Sequence, residues 1–367
     1  MRPTLQLSDL EFELPTELIA QHPQAKRDAC RLLVVDQTAD AMREMLFQDL
    51  TRLLRPGDLL VRNVTRVLPA RLLGVRPETG GHGELLLVEP AEDGTWWTLA
   101  RPARRLRTGS QLQLHDGSML TVVEEGESGR RRVQFPDSQT AVQVAQRCGA
   151  MPLPPYIRRA ADAADSEDYQ TVYASVDGSI AAPTAGLHFT EELLTALQEQ
   201  GVEFADVVLH VGLGTFEPVR SADPLQHQMH RESIEIPSDL PARLAQARQR
   251  GGRIVAVGTT VVRVLESLAL WQDDPSDERV ALESRGGVLS GATRIYLHPP
   301  YRFRLVDVLI TNFHLPRSTL LLLVAAFAGM ETWQRAYAHA IDKRFRFFSY
   351  GDATFWERPI HQAEDQG

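Results

Sequence analysis

Three histidines stand in short turns rich in glycine, threonine and asparagine, at His188, His210 and His314. The first turn reads Ala182-Pro183-Thr184-Ala185-Gly186-Leu187-His188-Phe189-Thr190. The second reads Leu209-His210-Val211-Gly212-Leu213-Gly214-Thr215-Phe216, and the third Thr311-Asn312-Phe313-His314-Leu315-Pro316. An imidazole titrates near neutrality, so each can give or take a proton. Neighbouring glycines let backbone approach a ligand closely. A single histidine at an element end is more often a structural one; the recurrence of the pattern is what points to chemistry. Gly212-Leu213-Gly214 is not a dinucleotide fingerprint, because its third glycine would fall at Glu217.

A second constellation, His227, His230 and Glu232, admits a metal reading. In a helix, His227 and His230 would share a face and could chelate. Pro224 before them and the extended Ser233-Ile234-Glu235-Ile236 after them shorten any such helix.

The elements that must position these groups read as alternating strands and helices. Thr190 caps a helix that Gly201 ends, and a valine-rich strand follows from Glu203 to Val211. Ser238 opens a helix that Gly251-Gly252 closes. Arg253 to Val257 is then a continuous apolar strand, the mark of a parallel sheet buried on both faces. Gly258-Thr259-Thr260 opens the next helix, whose amide groups and hydroxyls favour a carboxylate or phosphate. Arg263 and Glu266 lie near its start. Strands are expected at Thr293–Leu297 and Val306–Ile310, and Ser318 or Thr319 caps an apolar helix reaching Ala328. Near the start of the chain, Leu32–Asp36 and Leu59–Asn63 read as strands around a helical stretch at Phe47–Leu54.

Between Arg71 and Ala150 the texture changes to short alternating strands with glycine turns, which predicts a small β-barrel inserted in the α/β domain. The domains expected are therefore a discontinuous α/β catalytic domain, 1–70 and 151–367, and a barrel at 71–150. The barrel carries Arg101, Arg104, Arg105 and Arg107, with Arg130-Arg131-Arg132 and Trp96-Trp97. Such residues suit a phosphate backbone. They suit equally a solvated hairpin tip balanced by Glu124, Glu125 and Glu127.

The 367 residues include 48 acidic and 39 basic side chains, a net charge of −9 that argues against a protein coated for nucleic acid but allows a local basic face. Two isolated cysteines, Cys30 and Cys148, suggest neither a zinc knuckle nor a disulfide framework. The first fifteen residues hold no apolar run of the export kind, and Leu320–Ala328 is too short to span a bilayer. A cytoplasmic protein without membrane contact is expected.

The segments together resemble the S-adenosylmethionine:tRNA ribosyltransferase-isomerase family of queuosine biosynthesis, over almost the whole chain. The carriers include Phe12-Glu13-Leu14-Pro15, Gly57-Asp58-Leu59-Leu60-Val61, Pro69-Ala70-Arg71-Leu72, Leu153-Pro154-Pro155-Tyr156-Ile157 and Asp168-Tyr169-Gln170-Thr171-Val172-Tyr173. The three histidine turns, Ala256 to Thr260, and Arg346 to Ala353 complete them. Val64, Pro300 and Thr354 depart from the family's usual Asp, Gly and Met, outside the histidine turns. The resemblance implies transfer and isomerisation of the ribosyl group of S-adenosylmethionine onto the aminomethyl-deazaguanine (preQ1) wobble base of tRNA. Epoxyqueuosine-tRNA forms, and adenine and methionine leave. It also implies independence of metal and of any cofactor beyond the consumed S-adenosylmethionine. A monomer is expected.

That reaction needs a base beside the sulfonium and an acid to help adenine leave, and residue type assigns these to His188, His210 and His314 without deciding which is which. Thr184, Gly186, Gly212, Gly214, Thr215, Thr259, Thr260 and Asn312 are expected around the donor. Arg263 or the helix start is expected to take the methionine carboxylate, and Glu266 to balance the sulfonium or the amine. Arg101, Arg104, Arg105, Arg107, Arg344 and Arg346 are expected to meet tRNA. The rival readings are a metal-dependent hydrolase built on the histidines and Glu232, and a non-catalytic RNA-binding protein.

Overall fold

The computed structural model describes residues 5–136, 140–212 and 223–359. Ten strands form one mixed sheet: β1 (Arg31–Asp36), β2 (Ala41–Leu46), β3 (Leu59–Asn63), β4 (Glu203–Leu209), β5 (Glu232–Pro237), β6 (Ile254–Val257), β7 (Val280–Arg285), β8 (Val288–Thr293), β9 (Val308–Asn312) and β10 (Ala353–Glu357). Across the sheet they run β7-β8-β5-β4-β3-β6-β9-β10-β1-β2. The central four, β4, β3, β6 and β9, are parallel, so their carboxyl ends share one edge.

These four are central because both of their faces are apolar. Leu59, Val61, Ile254, Ala256 and Leu309 enter one core; Leu60, Val255, Val257, Val308 and Ile310 enter the other. A period of two that is apolar at both phases can only be satisfied under two layers of cover. One layer holds α2 (Leu240–Gln249), α3 (Thr259–Asp273), α4 (Thr319–Ala328) and α5 (Met330–Asp342). The other holds α1 (Glu191–Glu199) with Phe47 and Leu50. Every residue of α3 from Thr259 to Leu270 is buried, so its polar side chains need partners inside the protein.

The second sheet closes on itself. Strands Arg71–Val75, His82–Pro90, Trp96–Arg101, Arg130–Gln134, Met119–Glu125 and Gln111–Leu114 pair in that spatial order, and Gly74 and Val75 then pair with Leu114 and Gln113. Closure requires glycine at 74, where a Cβ would lie 2.5 Å from the Gln113 carbonyl oxygen. Leu72, Leu85, Leu112, Leu120 and Val133 fill the interior. The α/β architecture with a small barrel is thus the one expected.

Several elements differ from expectation. No strand occupies 294–297; the chain instead forms the β7–β8 hairpin just before it, where cross-strand pairing outweighs the local apolar pattern. A helix at Ala141–Cys148, capped by Thr140 Oγ1 accepting from Gln143 N–H at 3.3 Å, buries Val144 and Ala145 against the barrel. Asp239, not Ser238, precedes α2 and makes no side-chain cap. Pro224–Gln226 is a 3-10 turn and 227–231 is not helical, so His227 and His230 share no helical face.

Candidate active site

Three junctions meet at the shared edge. β6 passes through Gly258, at φ 91°, into α3; that left-handed turn is open to glycine and strained for other residues. β9 passes through Asn312, Phe313 and His314 to Ser318, whose hydroxyl accepts from Leu321 N–H at 3.1 Å and starts α4. β4 ends at His210, Val211 and Gly212. With the 3-10 turn Thr184–His188, Tyr156 and Phe348-Ser349, these junctions enclose a cavity of about 630 Å³ counted out to its mouth. The place is where parallel α/β sheets bind a small-molecule ligand.

Among the described residues the lining holds no Asp, Glu, Lys or Arg. Its polar groups include Thr184, Thr259, Thr260, Thr311, Asn312 and His314, while Tyr156, Phe313 and Phe348 supply aromatic wall. The Tyr156 and Phe348 ring centroids are 4.7 Å apart. Thr260 Oγ1 and Asn312 Oδ1 are buried with no hydrogen-bond partner among the described residues. An unmade hydrogen bond at a buried polar atom costs about 1–3 kcal/mol, which a ligand bearing donors would recover.

The three histidines do not form one cluster. His314 lines the cavity; its Nε2 lies 2.9 Å from Thr311 Oγ1, and its backbone N–H donates to the Tyr337 hydroxyl at 2.9 Å. Burial pushes its ring down to about 3, so it is neutral at pH 7. His210 is half-buried and outside the described lining, one residue before Val211, which belongs to it; its Nδ1 is 3.0 Å from Thr65 Oγ1, and burial lowers its pKa as well. His188 lies behind Asn312. Its Nε2 is 2.9 Å from Asn312 Nδ2 and its Nδ1 3.3 Å from Cys30 Sγ, and burial pushes it down to about 3. Both its ring nitrogens are occupied.

Other expected residues are placed differently from expectation. Glu266 is fully buried and turned from the cavity. Its carboxylate accepts from the backbone N–H groups of Arg304, Leu305 and Val306 and from the Tyr301 hydroxyl, so it anchors that loop. Arg263 is buried against Glu232, outside the cavity lining; Glu232 also accepts from Gly212 N–H at 3.1 Å and so ties down the end of β4. The guanidinium therefore already has a carboxylate. Gly186 serves packing, since a Cβ there would lie 2.1 Å from the Tyr173 hydroxyl. Gly214 and Thr215 lie outside the described residues. Tyr156, Phe348 and Ser349 join the site without having been expected there; the one signal in the sequence is an aromatic-rich run, Arg344 to Tyr350, too apolar for a solvated tail.

A family model described as a queuosine biosynthesis protein matches residues 7–356. The chain belongs to that family. A solved structure of an S-adenosylmethionine tRNA ribosyltransferase from Thermotoga maritima is similar, at 36% sequence identity over 95% of this chain and 99% of that one, with a TM-score of 0.53.

In this queuosine biosynthesis protein the barrel's arginines fall into two groups. Arg130, Arg131 and Arg132 are paired with Glu89, Glu125, Asp93 and Glu124. Arg101, Arg104, Arg105 and Arg107 are exposed and have no acidic partner among the described residues. Arg344 is exposed near Glu17 at 3.7 Å. Arg346 is half-buried and donates to the carbonyls of His22 and Tyr350, so it belongs to the fold of its own loop. Among the described residues no group of three or more His, Cys, Asp or Glu is placed to hold a metal ion, and Glu232 is paired with Arg263. No helix of the described residues is long and apolar enough to cross a membrane.

Proposed function

We propose that this protein is a ribosyltransferase-isomerase that moves the ribosyl group of S-adenosylmethionine onto the preQ1 base of tRNA, releasing adenine and methionine and leaving epoxyqueuosine. The family and the similarity to a solved S-adenosylmethionine tRNA ribosyltransferase support it. The observation that carries it is the aromatic-walled cavity that, among the described residues, has no charged side chain and two unpaired buried oxygens. A sulfonium is stabilised over aromatic faces, and Tyr156 and Phe348 offer them without a neutralising carboxylate. Ribose hydroxyls and the methionine ammonium are donors that meet Thr260 Oγ1 and Asn312 Oδ1. The methionine carboxylate fits the open amide groups at the start of α3. Among the histidines, His210 and His314 each keep a ring nitrogen without a hydrogen-bond partner among the described residues. Neutral at pH 7, His210 is suited to take the proton beside the sulfonium, and His314 to hold the donor in place. The reaction is expected to proceed without added metal.

The deciding experiment incubates the protein with S-adenosylmethionine and preQ1-bearing tRNA in the presence of a chelator. Adenine and methionine should appear together, only when tRNA is present. Release of neither by folded protein, with competent tRNA, would overturn the reading.

A further inference from the structure

The cavity wall contains a chain of groups whose polarities can be worked out in order. Phe348 sits at φ 71°, a region that bulky residues avoid. There its ring borders the cavity while its carbonyl oxygen lies 3.3 Å from the Asn312 amide nitrogen. A carbonyl oxygen can only accept, so the atom of Asn312 facing it must be the NH2. That nitrogen also faces His188 Nε2 at 2.9 Å, which must then be the unprotonated nitrogen of a neutral ring. The ring proton therefore sits on Nδ1 and points at Cys30 Sγ, 3.3 Å away. Both amide hydrogens of Asn312 are used by the protein, and its Oδ1 is the part left unpaired at the cavity among the described residues.

We infer that His188 is a positioning residue that, with the Phe348 carbonyl, holds Asn312 as a fixed hydrogen-bond acceptor toward the cavity, so that the ligand group docking there is a hydroxyl or amino donor. The same chain explains why a histidine is buried here without a solvent-facing nitrogen. A protonated ring, or the other tautomer, would turn a donor on Asn312 and favour the reversed amide. Burial keeps the ring neutral and the polarity constant across physiological pH. His188 thus acts on the ligand through Asn312 and exchanges no proton with it.

Two measurements on the full chain test this. In the first, selectively ¹⁵N-labelled histidine is observed by long-range ¹H–¹⁵N correlation, with the His188 signals identified by their loss in His188→Gln. The expected result is protonated Nδ1 and unprotonated Nε2 between pH 6 and 8. A protonated Nε2 overturns the inference whatever the ligand is. The second measurement rests on the S-adenosylmethionine reading and follows that compound's binding by calorimetry. Asn312→Leu should weaken it about tenfold or more, the usual effect of leaving a ligand donor unpaired. His188→Ala should weaken it several-fold, and His188→Gln, whose Oε1 can replace Nε2 as acceptor, should restore most of the affinity. If His188→Gln is as impaired as His188→Ala while both melt like wild type, or if His188→Ala binds normally, the positioning role is wrong. Absence of binding by the wild type, with the expected tautomer present, would sink the donor assignment and leave the polarity of Asn312 standing.

Discussion

Replacing Glu232 by Gln should leave a buried, uncompensated charge at the foot of the site. Arg263 is 4% exposed, and Glu232 is its one acidic partner among the described residues. Burial alone pushes its guanidinium down to about 10, which corresponds to about 3 kcal/mol of lost hydration at ~1.4 kcal/mol per pH unit. At pH 7 the group still carries its proton, so the loss is not avoided by neutralisation. Breaking buried ion pairs by removing one partner costs about 3–5 kcal/mol, which agrees. Glu232→Gln keeps an oxygen for Gly212 N–H, so the change isolates the charge. Urea denaturation at pH 7 should show about 3 kcal/mol less stability than wild type, and the double variant Glu232→Leu/Arg263→Met should regain most of it. The sign with pH is also set. A cation whose folded pKa lies below its unfolded value binds fewer protons folded than unfolded once pH passes about 10, and stability then rises with pH. Wild-type stability should therefore gain from this group as pH rises above about 10. A loss below 1 kcal/mol would refute the account of Arg263 as a charge held by Glu232 and return it to consideration as a carboxylate ligand.

Three further outcomes are expected. Because burial lowers the His210 pKa, kcat/KM for S-adenosylmethionine should stay level through pH 7 and fall only below the ordinary histidine value of 6.5, and His210→Asn should lose that acid limb with most of the activity. Thr260→Val removes a buried hydroxyl that has no partner among the described residues, so stability by denaturant titration should hold or rise while S-adenosylmethionine binding weakens several-fold; a parallel loss of both would show that the hydroxyl serves the fold. Changing Arg101, Arg104, Arg105 and Arg107 together to Glu should weaken tRNA binding and lower the salt slope by about 0.9 for each phosphate that the protein no longer neutralises, and an unchanged slope would move the basic face elsewhere.

Much of this protein is legible in its sequence. Runs such as Ile254–Val257 and Val308–Ile310 can be buried only in the middle of a parallel sheet, and Gly258-Thr259 and Ser318-Thr319 mark where helices begin after them. Those local rules are enough to bring Thr259, Thr260, Asn312 and His314 to one edge, because parallel strands share their carboxyl ends. Direction of side chains and choice of partner are not local. Glu266 is one turn beyond Arg263 on a wholly buried helix, yet it is consumed by backbone amides of residues 304–306, some forty positions away. His188 looks like its fellow histidines in type and setting, but the packing of Cys30, Asn312 and Phe348 takes both its nitrogens. The β7–β8 hairpin and the barrel-closing strand Arg71–Val75 likewise depend on pairings whose strength lies in the partner strand. The sequence alone determined periodicity, burial and chain punctuation, which are properties of neighbouring residues. Only the tertiary structure decided which polar atoms were satisfied by the protein and which were left for a ligand, because hydrogen bonds are allotted across distances in the chain that no local pattern encodes.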